Sequence, residues 1–377
     1  MSNTIKIIIV VIILIIVIGG IWYGLSREKT PAEEESIKIG AILPLTGEIA
    51  TLGQSAKTGL ELAVEQINKE GGINGRNLEV IFEDGRCDAK EATSAANKLV
   101  NVDKVPVIFG AVCSSGTLAA APIVESGKTI LFSPCSSSPD ITNAGDYIFR
   151  NYPSDNFQGK ESAKFIYNNL ELKNVALLYC LSDWCMGIAE VFKPAFSELG
   201  GTVVVEESYE QTDRDLKTQL TKIKQSNPDI IYFLGYTEAA IIGLKQIKEL
   251  GINAKILGAD AWDDPKIAEE AKDAAEGILF TVPSTPLSEE FKTAMEVKTG
   301  TKTITACTPQ IYDGVNIIAE LMRKVGTDST KIKDELYKVT NYEGVSGIIT
   351  LDKNGDLVDA NYEIKTVTNG QVVPYEE

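Results

Sequence analysis

The sequence predicts an α/β protein of two doubly wound lobes, preceded by one long apolar N-terminal segment. Three observations carry this. Short apolar runs alternate strictly with stretches of helical periodicity, the pattern of βαβ units around a parallel sheet. The alternation is broken by the turn formers Asn151-Tyr152-Pro153-Ser154-Asp155-Asn156 and then starts again. A chain of 377 residues is also too long for one core of ordinary size.

At the N-terminus, Lys6 is followed by an unbroken apolar run of nineteen residues, Ile7 to Leu25, with Trp22 and Tyr23 near its end and Ser26-Arg27-Glu28-Lys29 after it. At helical rise this run reaches roughly 28 Å, about one hydrocarbon core, and aromatic residues suit a membrane interface. A helix apolar on every face is a poor core helix. A membrane anchor and a signal peptide are the competing readings. The second calls for a shorter apolar region ending in small residues, and Gly19-Gly20 is the one small pair. No cysteine follows it to accept a lipid. Thr30 to Ser36 is Pro- and Glu-rich and reads as a solvated linker, so residues 1–36 form one segment.

Ile37 to Leu43 is the first buried strand. Ala56, Leu60, Ala63, Val64 and Ile67 then mark one helix face, stopped by Gly71-Gly72. Leu78 to Phe82 is the second strand, and Ala92, Ala95, Ala96 and Leu99 line the next helix. Val105 to Phe109 and Thr129 to Phe132 follow as strands, each running into a serine cluster: Cys113-Ser114-Ser115-Gly116-Thr117 and Cys135-Ser136-Ser137-Ser138. A helix predicted over Thr117 to Ser126 leaves Ser114 and Ser115 where N–H groups lack intrahelical acceptors and the helix dipole favours an anion. In open α/β sheets ligands settle outside the strand C-terminal ends, so two adjacent hydroxyl-rich loops make half of a carboxylate site. The same serines are also good helix and turn caps.

Beyond the first crossing, strands are expected at Val175 to Tyr179, Thr202 to Glu206, Asp229 to Leu234, Lys255 to Gly258 and Gly277 to Thr281. Helices are expected at Met186 to Leu199 and Glu238 to Leu250. Val282-Pro283-Ser284-Thr285-Pro286 reads as a second crossing. Helices at Ser288 to Val297, Pro309 to Val325 and Ser329 to Val339 follow. Short strands at Gly347 to Leu351 and Asn361 to Thr366, joined through Asp352-Lys353-Asn354-Gly355, close the chain.

Composition narrows function. A net charge of −17, from 53 acidic and 36 basic residues, argues against nucleic acid, whose phosphates demand clustered Lys and Arg. There is no histidine, which removes Ser-His-Asp and Cys-His catalysis and most zinc sites. The remaining serine chemistry needs a Ser-Lys pair at a strand-turn-helix site, and none stands there. Metal, cofactor and enzyme activity are therefore not expected. The six cysteines contain no Cys-x-x-Cys pair, and an exported domain permits disulfides instead. Cys180 and Cys185 are near enough in sequence to bridge one loop.

These features, taken in order, resemble the leucine/isoleucine/valine type of periplasmic amino-acid-binding protein, the type I periplasmic binding fold. The matching runs are Ile37-Lys38-Ile39-Gly40 leading to Gly47 and Gly53, Asn68-Lys69-Glu70-Gly71-Gly72-Ile73-Asn74-Gly75, Cys87-Asp88 through Ala95-Ala96-Asn97-Lys98-Leu99-Val100-Asn101, Cys113-Ser114-Ser115, Ser133-Pro134, Gly235-Tyr236 and Ala274-Ala275-Glu276-Gly277. The likeness covers about Ile37 to Leu351. It implies two Rossmann-like lobes joined by three hinge crossings, the third near Tyr342 to Gly347. Lobe 1 would then comprise residues 37–152 and 283–343, and lobe 2 residues 153–282 and 344–377.

The resemblance also implies an extracytoplasmic solute-binding protein that closes on an amino acid, branched-chain or related, and delivers it to the membrane subunits of an ABC transporter. Relatives of this fold bind amides, urea or aromatic acids, or act as ligand sensors, and these remain alternatives. Carried over residue by residue, Ser114, the Ser136 backbone and the Ser137 hydroxyl would take the α-carboxylate, with Ser115 beside them. Tyr236 would touch the ligand, and Asp260 would pair with the α-ammonium; an aspartate there would equally cap a helix from Ala261 to Glu270. Cys87 and Cys113 look like the family's lobe-1 disulfide. Departures concern the side-chain end. Trp184 stands where the family often has tyrosine, to wall off the ligand or to pack between lobes. Leu52 replaces a larger aromatic residue, the second loop reads Cys-Ser-Ser-Ser, and Cys135 and Cys307 match no family pair.

Overall fold

The computed structural model describes residues 2–25 and 35–376, with side chains of the N-terminal helix described as far as Gly19. That helix, α1, spans Asn3–Leu25 and belongs to a separate unit, residues 1–36. Among the described residues no helix is long and apolar enough to cross a membrane. The side chains of Trp22 and Tyr23 and residues 26–34, most of the expected linker, lie outside the described residues.

Residues 37–377 form one compact α/β unit built on two sheets. The chain runs β1 (Ile37–Leu43), α2 (Ala50–Lys69), β2 (Leu78–Asp84), α3 (Ala89–Asn97), β3 (Val107–Gly110), α4 (Ser114–Gly127), β4 (Ile130–Ser133) and β5 (Ile148–Arg150). These five strands pair in the order β2-β1-β3-β4-β5, all parallel. Strands buried on both faces need no polar alternation, and Val107 to Gly110 and Ile130 to Ser133 are buried throughout.

The chain then enters the second sheet through α5 (Asp155–Lys164), β6 (Asn174–Cys180), α6 (Asp183–Glu198), β7 (Thr202–Tyr209), α7 (Lys217–Ser226), β8 (Ile230–Leu234), α8 (Thr237–Glu249), β9 (Lys255–Gly258), α9 (Pro265–Ala271) and β10 (Leu279–Pro283). Helices α10 (Glu289–Thr299) and α11 (Thr308–Val325) return to pack on α2. A Cβ at Gly59 of α2 would come 2.7 Å from the Thr308 carbonyl oxygen, so this contact needs glycine. Next come α12 (Ser329–Leu336), the small hairpin β11 (Tyr342–Gly344) and β12 (Gly347–Ile349), and finally β13 (Tyr362–Thr368) and β14 (Gln371–Pro374).

The second sheet, ordered β14-β13-β10-β9-β8-β6-β7, is mixed where the sequence rhythm predicts a parallel one. β13 pairs antiparallel with β10, and β14 turns back on β13 through Asn369-Gly370. Both turn residues have positive φ, 53° and 73°, the type I′ geometry that matches strand twist. Strand-helix alternation says nothing about this C-terminal hairpin.

Three boundary shifts bear on function. Helix α4 begins at Ser114 rather than Thr117, because the small polar residues that read as loop form its first turn. Helix α6 begins at Asp183, capped by Ser182 onto the Cys185 N–H, which puts Trp184 in that first turn. The helix expected from Ala261 starts at Pro265, and Asp264 is its cap. Asp260 instead opens a single 3₁₀ turn, Asp260–Trp262, and does not cap α9.

Candidate ligand-binding site

A narrow, mostly apolar cleft lies between the C-terminal ends of the two sheets. Its lining includes Ser114, Ser137, Leu52, Trp184, Tyr236 and Asp260, brought from six different segments. Ser115 and Ser136 are not in that lining. The Ser136 hydroxyl lies 2.5 Å from the Ala111 carbonyl oxygen and 2.7 Å from Thr117 Oγ1, so it braces the loop from behind.

The first-sheet rim is built as a closed hydrogen-bond network. Ser114 Oγ accepts the Ser138 N–H at 3.1 Å, tying the two serine loops together, and Ser133 Oγ accepts the Ser136 N–H at 3.0 Å. Beneath them Arg150, fully buried, donates to the Ser138 carbonyl oxygen at 2.9 Å and grips Asp356 with two 2.7 Å bonds. A bidentate pair of this kind fixes geometry as well as charge. The first turn of α4 leaves N–H groups at the cleft floor without intrahelical acceptors, a polar end suited to an anion.

The second-sheet rim is aromatic and acidic. Trp184 and Tyr236 pack with ring centroids 4.8 Å apart. Trp262 Nε1 donates to the Gly235 carbonyl oxygen at 2.9 Å and so fixes the turn that presents Tyr236. Gly258 permits this, since a Cβ there would stand 2.2 Å from the indole. Asp260 accepts a 2.6 Å bond from Tyr152 on Oδ2, while its Oδ1 is buried and has no well-formed hydrogen bond among the described residues. Burial pushes the Asp260 carboxyl up to about 6. Behind it Asp155 is fully buried with both oxygens lacking well-formed bonds, and burial, then the Asp260 charge, push its carboxyl well up. Two carboxyls so placed call for a cation.

The two rims also touch directly. Arg214 bridges to Glu48 across the cleft mouth, with Gln211 Nε2 donating to the same carboxylate at 3.3 Å. Gly187 of α6 lies against the Ser138-Pro139 turn, where a Cβ would stand 2.7 Å from Pro139 Cδ. Among the described residues there are three disulfides, and Cys113, Cys135 and Cys307 line the cleft. Cys87–Cys113 and Cys180–Cys185 are joined, and Cys135–Cys307, which matched no family pair, is the third. Sequence reasoning passed over Tyr152, Ile49, Val112, Ala261 and Ala306 in the lining. Tyr152, a bulky aromatic residue among turn formers, carried the one legible signal.

Two α/β lobes flanking a cleft with an anion-favouring floor and an acidic roof define a class of protein, the two-lobed binders of small solutes. The comparisons agree. A periplasmic binding protein family model matches residues 36–371. The chain belongs to that family, which is extracytoplasmic and one of solute binders rather than enzymes, and within it to the leucine/isoleucine/valine-binding type.

The leucine-, isoleucine-, valine-, threonine- and alanine-binding protein of Pseudomonas aeruginosa is 32% identical over 339 residues, 88% of this chain and 89% of that one. The Leu/Ile/Val-binding protein of Escherichia coli is 27% identical over 86% of this chain and 88% of its own. Among solved structures, a leucine-binding protein of Thermotoga maritima superposes with a TM-score of 0.84 at 32% identity, covering 90% of this chain and 98% of that one. A branched-chain amino-acid binder of Streptococcus pneumoniae, in complex with isoleucine, gives 0.82 at 30% identity, covering 89% and 97%.

Proposed function

We propose that this protein closes on an aliphatic α-amino acid and hands it to the membrane subunits of an ABC transporter. One observation carries the reading: a single cleft sets serine hydroxyls and a helix N-terminus against a buried, half-partnered carboxylate. That charge order is the complement of a zwitterion. Ser114 and Ser137 would hold the carboxylate, Asp260 the ammonium, and Tyr236 with Trp184 would cover the backbone between them. The relatives' names, which pair leucine, isoleucine and valine with this architecture, support the same reading.

Lobe 1 would comprise residues 37–152 and 283–343 and lobe 2 residues 153–282 and 344–377, with three chain crossings as the hinge. Ligand binding would draw the lobes together, and the closed pair would present one composite surface to the permease. The apolar run ending at Leu25 would tether the protein at the outer face of the cell membrane, unless it is removed as a signal. Calorimetry of the purified protein against leucine, valine, alanine, leucinamide, urea and benzoate tests the reading. It expects heat from the free amino acids alone. Tighter binding of an amide, urea or benzoate would replace it with another ligand class.

A further inference from the structure

We infer that the Cys135–Cys307 disulfide is a fixed wall of the pocket for the ligand's side chain and limits that side chain to an aliphatic group no larger than leucine's. The inference rests on the amino-acid reading and goes beyond it, because it says what sets selectivity. Once Ser114, Ser137, Tyr236, Asp260 and the Tyr152 hydroxyl bound to it are set aside as the polar pole, the cleft's remaining surface is apolar, and both cysteines lie in it with Ala306, Ile49, Leu52, Val112 and Trp184. A zwitterion fixed at the polar pole points its side chain at that surface.

The disulfide differs from an ordinary apolar wall in two respects. It joins the loop after β4 to the start of α11 across 172 residues of sequence, so neither sulfur can swing aside as a leucine or methionine does. Cys307 is also fully buried and held at φ 70°, a left-handed conformation that is unfavourable for a non-glycine residue. Glycine would take that backbone freely, so a side chain kept there at a conformational cost points to work done by the side chain. Ala306, the residue before it, is small and lines the cleft with both cysteines.

A rigid boundary discriminates against added bulk more strongly than a soft one, which yields only about 10- to 200-fold per methylene. The test measures the affinities of alanine, valine, leucine and phenylalanine by calorimetry for the wild type, Cys135→Ala/Cys307→Ala and Ala306→Leu. The wild type is expected to bind leucine at least about a hundredfold tighter than phenylalanine. Removing both sulfurs should narrow that ratio about tenfold or more. Ala306→Leu should weaken leucine about tenfold while leaving alanine nearly unchanged, and it decides the matter alone if the double variant fails to fold. An unchanged leucine-to-phenylalanine ratio in a folded double variant, or equal losses for all ligands in Ala306→Leu, would overturn the wall. A folded wild type that binds none of the four would overturn the amino-acid reading instead.

Discussion

The two rims of the cleft are made of opposite materials. On the first-sheet side, Ser114, Ser133, Ser136 and Thr117 already satisfy one another and the backbone, Arg150 braces them from below, and two disulfides pin the loops. On the second-sheet side, Asp260 Oδ1, both Asp155 oxygens and the Tyr236 hydroxyl are buried without well-formed bonds. One rim is finished before a ligand arrives. The other carries buried acidity that a ligand cation would relieve, so most of the ligand's binding free energy should be traceable to it.

The largest effect expected is therefore on the acidic rim. Asp260→Ala should weaken an aliphatic amino acid by about 2 to 5 kcal/mol, the cost of removing one partner of a buried charge pair. A deaminated analogue should be affected little, and calorimetry with the two ligands reads the difference. Ser114→Ala or Ser137→Ala should cost less, about 1.5 to 3 kcal/mol for one hydrogen bond to a charged carboxylate. If the serine variants lose more than Asp260→Ala, the contrast between the rims is reversed.

The contrast also has a pH signature. Burial raises the Asp260 carboxyl from 3.8 to about 6, so the unliganded fold holds its proton more tightly than the unfolded chain does. That contribution to stability is complete below pH about 4 and is lost as pH rises through about 6. An ammonium pairs with the ionised form, so affinity should move the opposite way, rising by about tenfold per unit up to pH about 6 and then levelling. Titration calorimetry in two buffers should register a proton released on binding in that window. The smallest effect belongs to the cleft mouth. Arg214→Ala breaks a partly exposed pair with Glu48 and should cost less than about 1 kcal/mol, vanishing at high salt.

The βα rhythm made both sheets and their order of appearance readable, because strands buried on two faces and amphipathic helices differ in period. It could not reveal the antiparallel end of the second sheet, where the Asn369-Gly370 turn was the neglected signal. Within the site, Ser114 and Ser137 were legible from the serine loops alone, since a helix start after a buried strand is a local pattern. Tyr236, Trp184 and Asp260 needed a family resemblance. Tyr152, Ala306 and the joining of Cys135 to Cys307 escaped both routes, because each depends on segments more than a hundred residues apart meeting at one cleft. The capping role that Asp260 invited falls to Asp264, four residues on, and local propensity could not choose between them.

The central claim is that one cleft reads both ends of a zwitterion, and it is tested most directly by comparing leucine with two halves of itself. Calorimetry of the purified protein with leucine, with its decarboxylated amine and with its deaminated acid should give measurable heat for leucine and at least about a hundredfold weaker binding for each half, the loss of a buried charge pair in either case. Equal affinity for leucine and the amine would remove the serine rim from ligand recognition, and equal affinity for leucine and the acid would remove Asp260.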